Sequence, residues 1–140
     1  MRAILKLVLA AALIAQALPA DALNSRQRNK LEQAQNAFAA AIRWGDFEGA
    51  WQMVDPAVRE RDPMTELEFA RYEQIQVSGY RDLHALVEAD GTLVRVIELR
   101  VINRHTMAER TQRFRERWRW DEAAKRWWLA DTLPDLWEGS

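Results

Sequence analysis

The octapeptide Arg113-Phe114-Arg115-Glu116-Arg117-Trp118-Arg119-Trp120 constrains this chain more than any other stretch. Its odd positions are all arginine, and its even positions are Phe, Glu, Trp and Trp. Side chains alternate across a β-strand, so a strand here carries guanidinium groups on one face and rings on the other. The ring face packs inward. The arginine face is expected to be a solvated sheet surface whose like charges are relieved by Glu98, Glu109 and neighbouring acids. Nucleic acid is not an expected partner, because base stacking needs rings and cations on the same surface.

The neighbouring segments supply partners for that strand. Residues 93–103 form a long β-rich run, preceded by the hairpin turn Asp90-Gly91. Arg104-His105 is a tight connection into a return strand over 106–120, and residues 126–131 form a last strand. An earlier strand or strand pair over 77–87 is interrupted at Ser78-Gly79. Ahead of the strands, Leu31, Ala34, Phe38, Ala41 and Ile42 recur at helical spacing over 27–44, with Ser25 as N-cap and Gly45 as terminator. Asp46 caps a second helix that buries Phe47, Trp51 and Val54, and a short turn of helix fits at 56–60. Thr65-Glu66-Leu67-Glu68 reads as a capping box, stapled by Met64 and Phe69, for a helix reaching about Ile75. Helices followed by an antiparallel sheet make an α+β domain.

Residues 1–22 have the order of a secretory signal peptide. Arg2 and Lys6 give a positive start, 7–18 run almost without polarity, and Ala20-Asp21-Ala22 offers a small-residue cleavage site. The apolar run is too short for a spanning helix, which needs roughly 20 apolar residues. The mature chain is expected to begin near Leu23 or Asp21, in a bacterial periplasm or secreted, as one domain over 23–140 with no stable membrane anchor. Removing 22 residues from 140 leaves 118, enough to bury a core without staples. The chain has no cysteine, which excludes disulfides, thiolate nucleophiles and Cys-ligated metal. Losing Arg2, Lys6 and Asp21 turns 20 basic and 21 acidic residues into 18 and 20, a net of −2. That near-neutral balance provides no long-range field for nucleic acid.

Glu116 is the odd member of the inward face. If Asn103 pairs with Thr106, Leu93 stands opposite Glu116 and Arg95 opposite Phe114, on one face with Ile97, Leu99 and Val101. If Trp120 pairs with Trp127, Asp131 comes opposite Glu116. Arg95, Glu116 and Asp131 then converge among Trp118, Trp120 and Trp127. One reading is a paired, buried ion cluster, for which arginine is well suited. The other is a working site: a ligand pocket lined by Leu93, Arg95, Ile97, Phe114, Glu116, Trp118, Trp120 and Asp131, or a proton-transfer centre. In the latter Glu116 or Asp131 is the base and Tyr72, Tyr80 or His84 the donor. His84 and His105 form no metal set, Ser78 lacks the setting of a nucleophile elbow, and no glycine-rich phosphate loop exists. Neither a metal nor a cofactor is expected. Most of the seven tryptophans are expected to fill the core; Trp128 shares the arginine face and can stack on a guanidinium. Leu133-Pro134-Asp135-Leu136-Trp137 can fold back on the domain or dock a partner.

Phe47-Glu48-Gly49-Ala50-Trp51 after a Gly-Asp break, Asp55-Pro56, and the closing pair Trp118-Arg119-Trp120-Asp121 and Arg126-Trp127-Trp128-Leu129 resemble the NTF2-like superfamily of cystatin-like cone folds. The resemblance implies N-terminal helices packed against a strongly curved antiparallel sheet, with a pocket between its concave face and the helices. Such folds include isomerases, dehydratases and cyclases beside many binding and accessory domains; no catalytic residue carries over. The function expected is therefore non-catalytic: an exported domain holding a small apolar or amphipathic ligand, or an envelope protein, in its cone. A proton-transfer enzyme and a module that dimerises through its outer sheet face are the alternatives.

Overall fold

A computed structural model describes residues 23–137; the proposed leader, 1–22, lies outside the described residues, as do 138–140. Helix α1 (Ser25–Arg43) is capped by Asn24, not by Ser25. The Asn24 side chain accepts from the Gln27 amide at 2.8 Å while the Gln27 side chain accepts from the Asn24 amide at 3.3 Å. Ser25 lacks this option, because the residue three positions on is Arg28, which has no acceptor. Gly45 follows the helix with φ +75°, the left-handed conformation its missing Cβ permits. Helix α2 (Phe47–Trp51) is capped by Asp46 and α3 (Pro56–Arg61) by Asp55. Thr65 accepts from the Glu68 amide at 3.2 Å to start α4 (Glu66–Tyr72). That helix ends three residues before Ile75, which already opens the sheet.

The sheet is a four-stranded antiparallel meander of β1 (Ile75–Val87), β2 (Leu93–Asn103), β3 (Glu109–Asp121) and β4 (Arg126–Leu129), in that order. Register shifts beside Ser78 and Leu83 put two bulges in β1, and bulges increase twist and bend the strand. Helix α1 packs against both β1 and β4, across the concave side. There Phe38 and Ile42 meet Ile97, Leu99, Trp118 and Leu129, all fully buried, and Phe38 meets Trp118 edge to face at 5.7 Å.

The β2–β3 register differs by two residues from the expected one. Asn103 faces Ala108 rather than Thr106, its amide donating to the Ala108 carbonyl at 2.9 Å. The Asn103 side chain holds the wider turn by accepting from the His105 and Thr106 amides at 2.9 and 3.2 Å, and Met107 takes φ +58°. Leu93 therefore pairs with Trp118, Arg95 with Glu116 and Ile97 with Phe114. Because the slip is even, every side chain stays on its expected face. Trp120 pairs with Trp127 as the pattern implies.

Two segments close the cone. Residues 53–55 run along β4: the Asp55 amide donates to the Leu129 carbonyl at 2.8 Å and the Leu129 amide to the Met53 carbonyl at 2.9 Å. The Asp55 carboxylate caps α3 and takes Nε and Nη2 of Arg119 at 2.9 and 2.6 Å. At the other end, the C-terminal strap folds back over α4. Leu133 and Leu136 are buried, and the Tyr72 hydroxyl donates to the Pro134 carbonyl at 2.8 Å. On the outer face Arg81 pairs with Glu98, Arg100 with Glu109 and Arg117 with Glu88.

Candidate functional site

The pairing of β2 with β3 puts Arg95 directly opposite Glu116 on the concave face, and β1 delivers Tyr80 beside them. The Glu116 carboxylate has no solvent exposure. Its Oε1 accepts from Arg95 Nη2 at 2.7 Å and from the Trp118 indole N–H at 2.7 Å, while Oε2 accepts from the Tyr80 hydroxyl. Arg95 Nη2 also donates to the Tyr80 oxygen at 3.1 Å, and Nη1 reaches Asp82 at 3.2 Å on the rim. Arg95 Nε is buried without a hydrogen-bond partner. Three donors converge on one carboxylate, the arrangement that a buried charge requires.

Burial pushes the Glu116 carboxyl above the usual carboxylate range; Arg95, Tyr80 and Trp118 pull it back without cancelling the rise. Burial works to lower Arg95, but Glu116, Tyr80 and Asp82 outweigh it and hold the guanidinium above its ordinary value. Burial, reinforced by Glu116, pushes the Tyr80 hydroxyl up, so it stays a donor. A folded-state pKa above the unfolded one gives stability that is complete below the unfolded pKa and lost as pH rises through the folded one. Glu116→Gln removes that dependence. Urea titrations should show the stability of the natural chain, measured relative to Glu116→Gln, falling as pH rises from about 4, the ordinary glutamate value. A difference that grows with pH would mean that pairing with Arg95 outweighs burial.

Seven of the eight residues proposed as a pocket lining share the concave face: Leu93, Arg95, Ile97, Phe114, Glu116, Trp118 and Trp120. Most of them pack into the core: Ile97, Glu116 and Trp118 are completely buried, and Leu93, Phe114 and Trp120 partly so. Asp131 does not join them. Beta4 ends at Leu129, the chain turns toward the strap, and the half-exposed Asp131 carboxylate lies 3.8 Å from Arg117 on the outer face. Of the proposed donors only Tyr80 reaches Glu116; Tyr72 is committed to Pro134, and His84 is exposed on β1. Among the described residues, no three His, Asp or Glu side chains gather as a metal site, and no helix is long and apolar enough to cross a membrane.

Open space lies outside the cone, between the end of α1 and β1. A cleft of about 670 Å³ runs over Trp44, Phe47, Ile75, Val77 and Tyr80, with Arg43 and Arg104 on its walls. A second depression of about 410 Å³, also bordered by Arg43, Trp44 and Tyr80, reaches Asp82 and Arg95. Trp44 is 86% exposed. Helical periodicity alone gives no hint of this, since it assigns Trp44 to the helix; the signal is its place immediately before Gly45, where the chain leaves the helical path and aims the ring outward. Asp82 as partner of Arg95, and Asp55 as partner of Arg119, also escape a pattern reading because they join distant segments.

No protein-family model matches this sequence, and no curated protein matches it. Solved structures do match. A protein from Exiguobacterium sibiricum described as a Ca/calmodulin-dependent kinase II association domain aligns with TM-score 0.56 and 19% identity, over 81% of this chain and 97% of that one. A ketosteroid isomerase-like protein from Erwinia carotovora aligns with TM-score 0.50 and 15% identity, over 78% of this chain and 94% of that one. Together with the curved meander wrapped on α1, these likenesses identify the architecture: the chain has the NTF2-like α+β cone fold.

Proposed function

We propose that this chain is a non-catalytic binding domain of the bacterial cell envelope, exported by residues 1–22, that takes a small apolar or amphipathic ligand in the cleft between α1 and β1. The observation that carries the reading is the contrast between the two places where chemistry could occur. Glu116 is sealed from solvent and engaged by Arg95, Tyr80 and Trp118, so a substrate has no route to it. The cleft is open, and its volume falls in the range of ligand sites. Its exposed Trp44 offers a large apolar face with a polar edge. The charged residues on the outer face, several of them in ion pairs, argue against dimerisation through an apolar sheet surface. The fold neighbours, one described as an association domain and one as isomerase-like, illustrate that this architecture does not decide the task.

Protein purified from the periplasm should have an intact mass corresponding to a chain that begins near Leu23. Native mass spectrometry should detect a non-covalently held small molecule that Trp44→Ala loses. A chain still starting at Met1 would refute removal of residues 1–22, absence of the protein from the periplasm would refute export, and an adduct unaffected by Trp44→Ala would place the ligand elsewhere.

A further inference from the structure

The arginines around the cleft are not equivalent. Arg81 is neutralised by Glu98 at 2.9 Å, Arg100 by Glu109 at 2.8 Å, and Arg95 by Glu116 and Asp82 at 2.7 and 3.2 Å. Arg43 and Arg104 form no ion pair among the described residues. Each donates instead to a backbone carbonyl of β1: Arg43 Nη2 to Tyr80 at 2.9 Å and Arg104 Nε to Ile75 at 3.2 Å. These bonds fix the two guanidinium groups at the two ends of the cleft-lining stretch of β1. No acidic side chain lines the cleft between them. Arg43 has a further structural use, because it lies in the last turn of α1, where a cation complements the helix dipole, and it stands 5.8 Å from the Tyr80 ring. Arg104 has neither, and only its Nε is engaged. Its remaining N–H groups form the planar fork that suits a carboxylate.

We propose that the cleft ligand is a small molecule with an apolar body and one carboxylate, the body lying on Trp44, Phe47 and Val77 and the carboxylate on Arg104, within the field of Arg43. This deepens the binding reading above and rests on it. Two cations walling an apolar cleft that no acidic side chain lines are explained by an anionic group on the ligand, since charge complementarity selects the partner and orients it.

The test compares decanoate with decanol, which share an apolar chain and differ in charge, by isothermal titration of the mature protein at low salt. Decanoate should bind about tenfold more tightly, the effect of one charge-assisted hydrogen bond. Arg104→Gln should remove that preference, lowering decanoate affinity about tenfold more than decanol affinity, whereas Trp44→Ala should weaken both. Arg104→Lys, which keeps the cation but loses the fork, should restore part of the preference. Circular dichroism spectra and melting curves establish that each variant is folded. Equal affinity of the natural chain for both compounds would overturn the carboxylate inference while leaving the cleft as a binding site. Failure of both to bind, or binding indifferent to Trp44→Ala, would overturn the two readings together.

Discussion

Replacing Arg95 by leucine is expected to cost about 3–5 kcal/mol of stability, the usual penalty for stranding one member of a buried ion pair. The substitution leaves Glu116 with no solvent exposure and without the cation 2.7 Å away, and the Tyr80 oxygen loses a donor as well. A domain of this size has only about 5–15 kcal/mol in total, so the variant should be marginal at neutral pH. Its deficit should shrink as pH falls, because the stranded carboxyl relieves its charge by taking a proton. The double variant Arg95→Leu/Glu116→Leu should recover only part of the loss: the stranded charge is gone, but the Tyr80 hydroxyl and the Trp118 indole N–H lose their acceptor. Denaturant titrations of the singles and the double give the coupling directly. A loss below about 1 kcal/mol for Arg95→Leu, the scale of an exposed pair, would show that water reaches Glu116 and that the cone is not sealed.

Leu136→Ala carries the second large effect. Leu136 is completely buried although it lies outside every helix and strand, under a strap held by the Tyr72 hydroxyl to Pro134 and the Gln112 amide to Asp135 at 2.8 and 2.7 Å. Leucine-to-alanine changes in cores cost about 2–5 kcal/mol, according to how far the cavity collapses. The strap is an irregular segment, so partial collapse should put the value in the lower half of that range. Tyr72→Phe, which removes only the hydroxyl, should cost about 1 kcal/mol. If both variants unfold at the same denaturant concentration as the natural chain, the strap is a loose cover and not a part of the core.

The fold was legible where one residue type has one physical role. The alternation from Arg113 to Trp120, the Gly45 terminator, the Asp46 and Thr65 caps and the Asp90-Gly91 turn each specify a local geometry, and each appears in the structure. The β2–β3 register was not, because it depends on how many residues a turn holds. Asn103, through its side chain, sustains a wider turn than Arg104-His105 suggests. The shift of two preserved the faces and so preserved Arg95 beside Glu116. Asp131 was lost for a different reason: strand pairing was extended past Leu129, where the chain departs toward the strap. The cleft was invisible to pattern reading because Arg43, Trp44, Val77 and Arg104 come from three separate segments, and no period connects them.

The two margins of the sheet differ in a way that limits how this protein can associate. Beta4 is shielded by residues 53–55, whose backbone groups engage Leu129; β1 forms the opposite margin of the sheet. Unpaired margins template the growth of fibrils and swapped assemblies. Here, however, the register breaks beside Ser78 and Leu83 leave only residues 79–82 as a regular stretch between them. The carbonyls of Ile75 and Tyr80 are already held by Arg104 and Arg43. A recruited strand would meet broken spacing and occupied acceptors, and runaway polymerisation is obstructed by the same two arginines that wall the cleft.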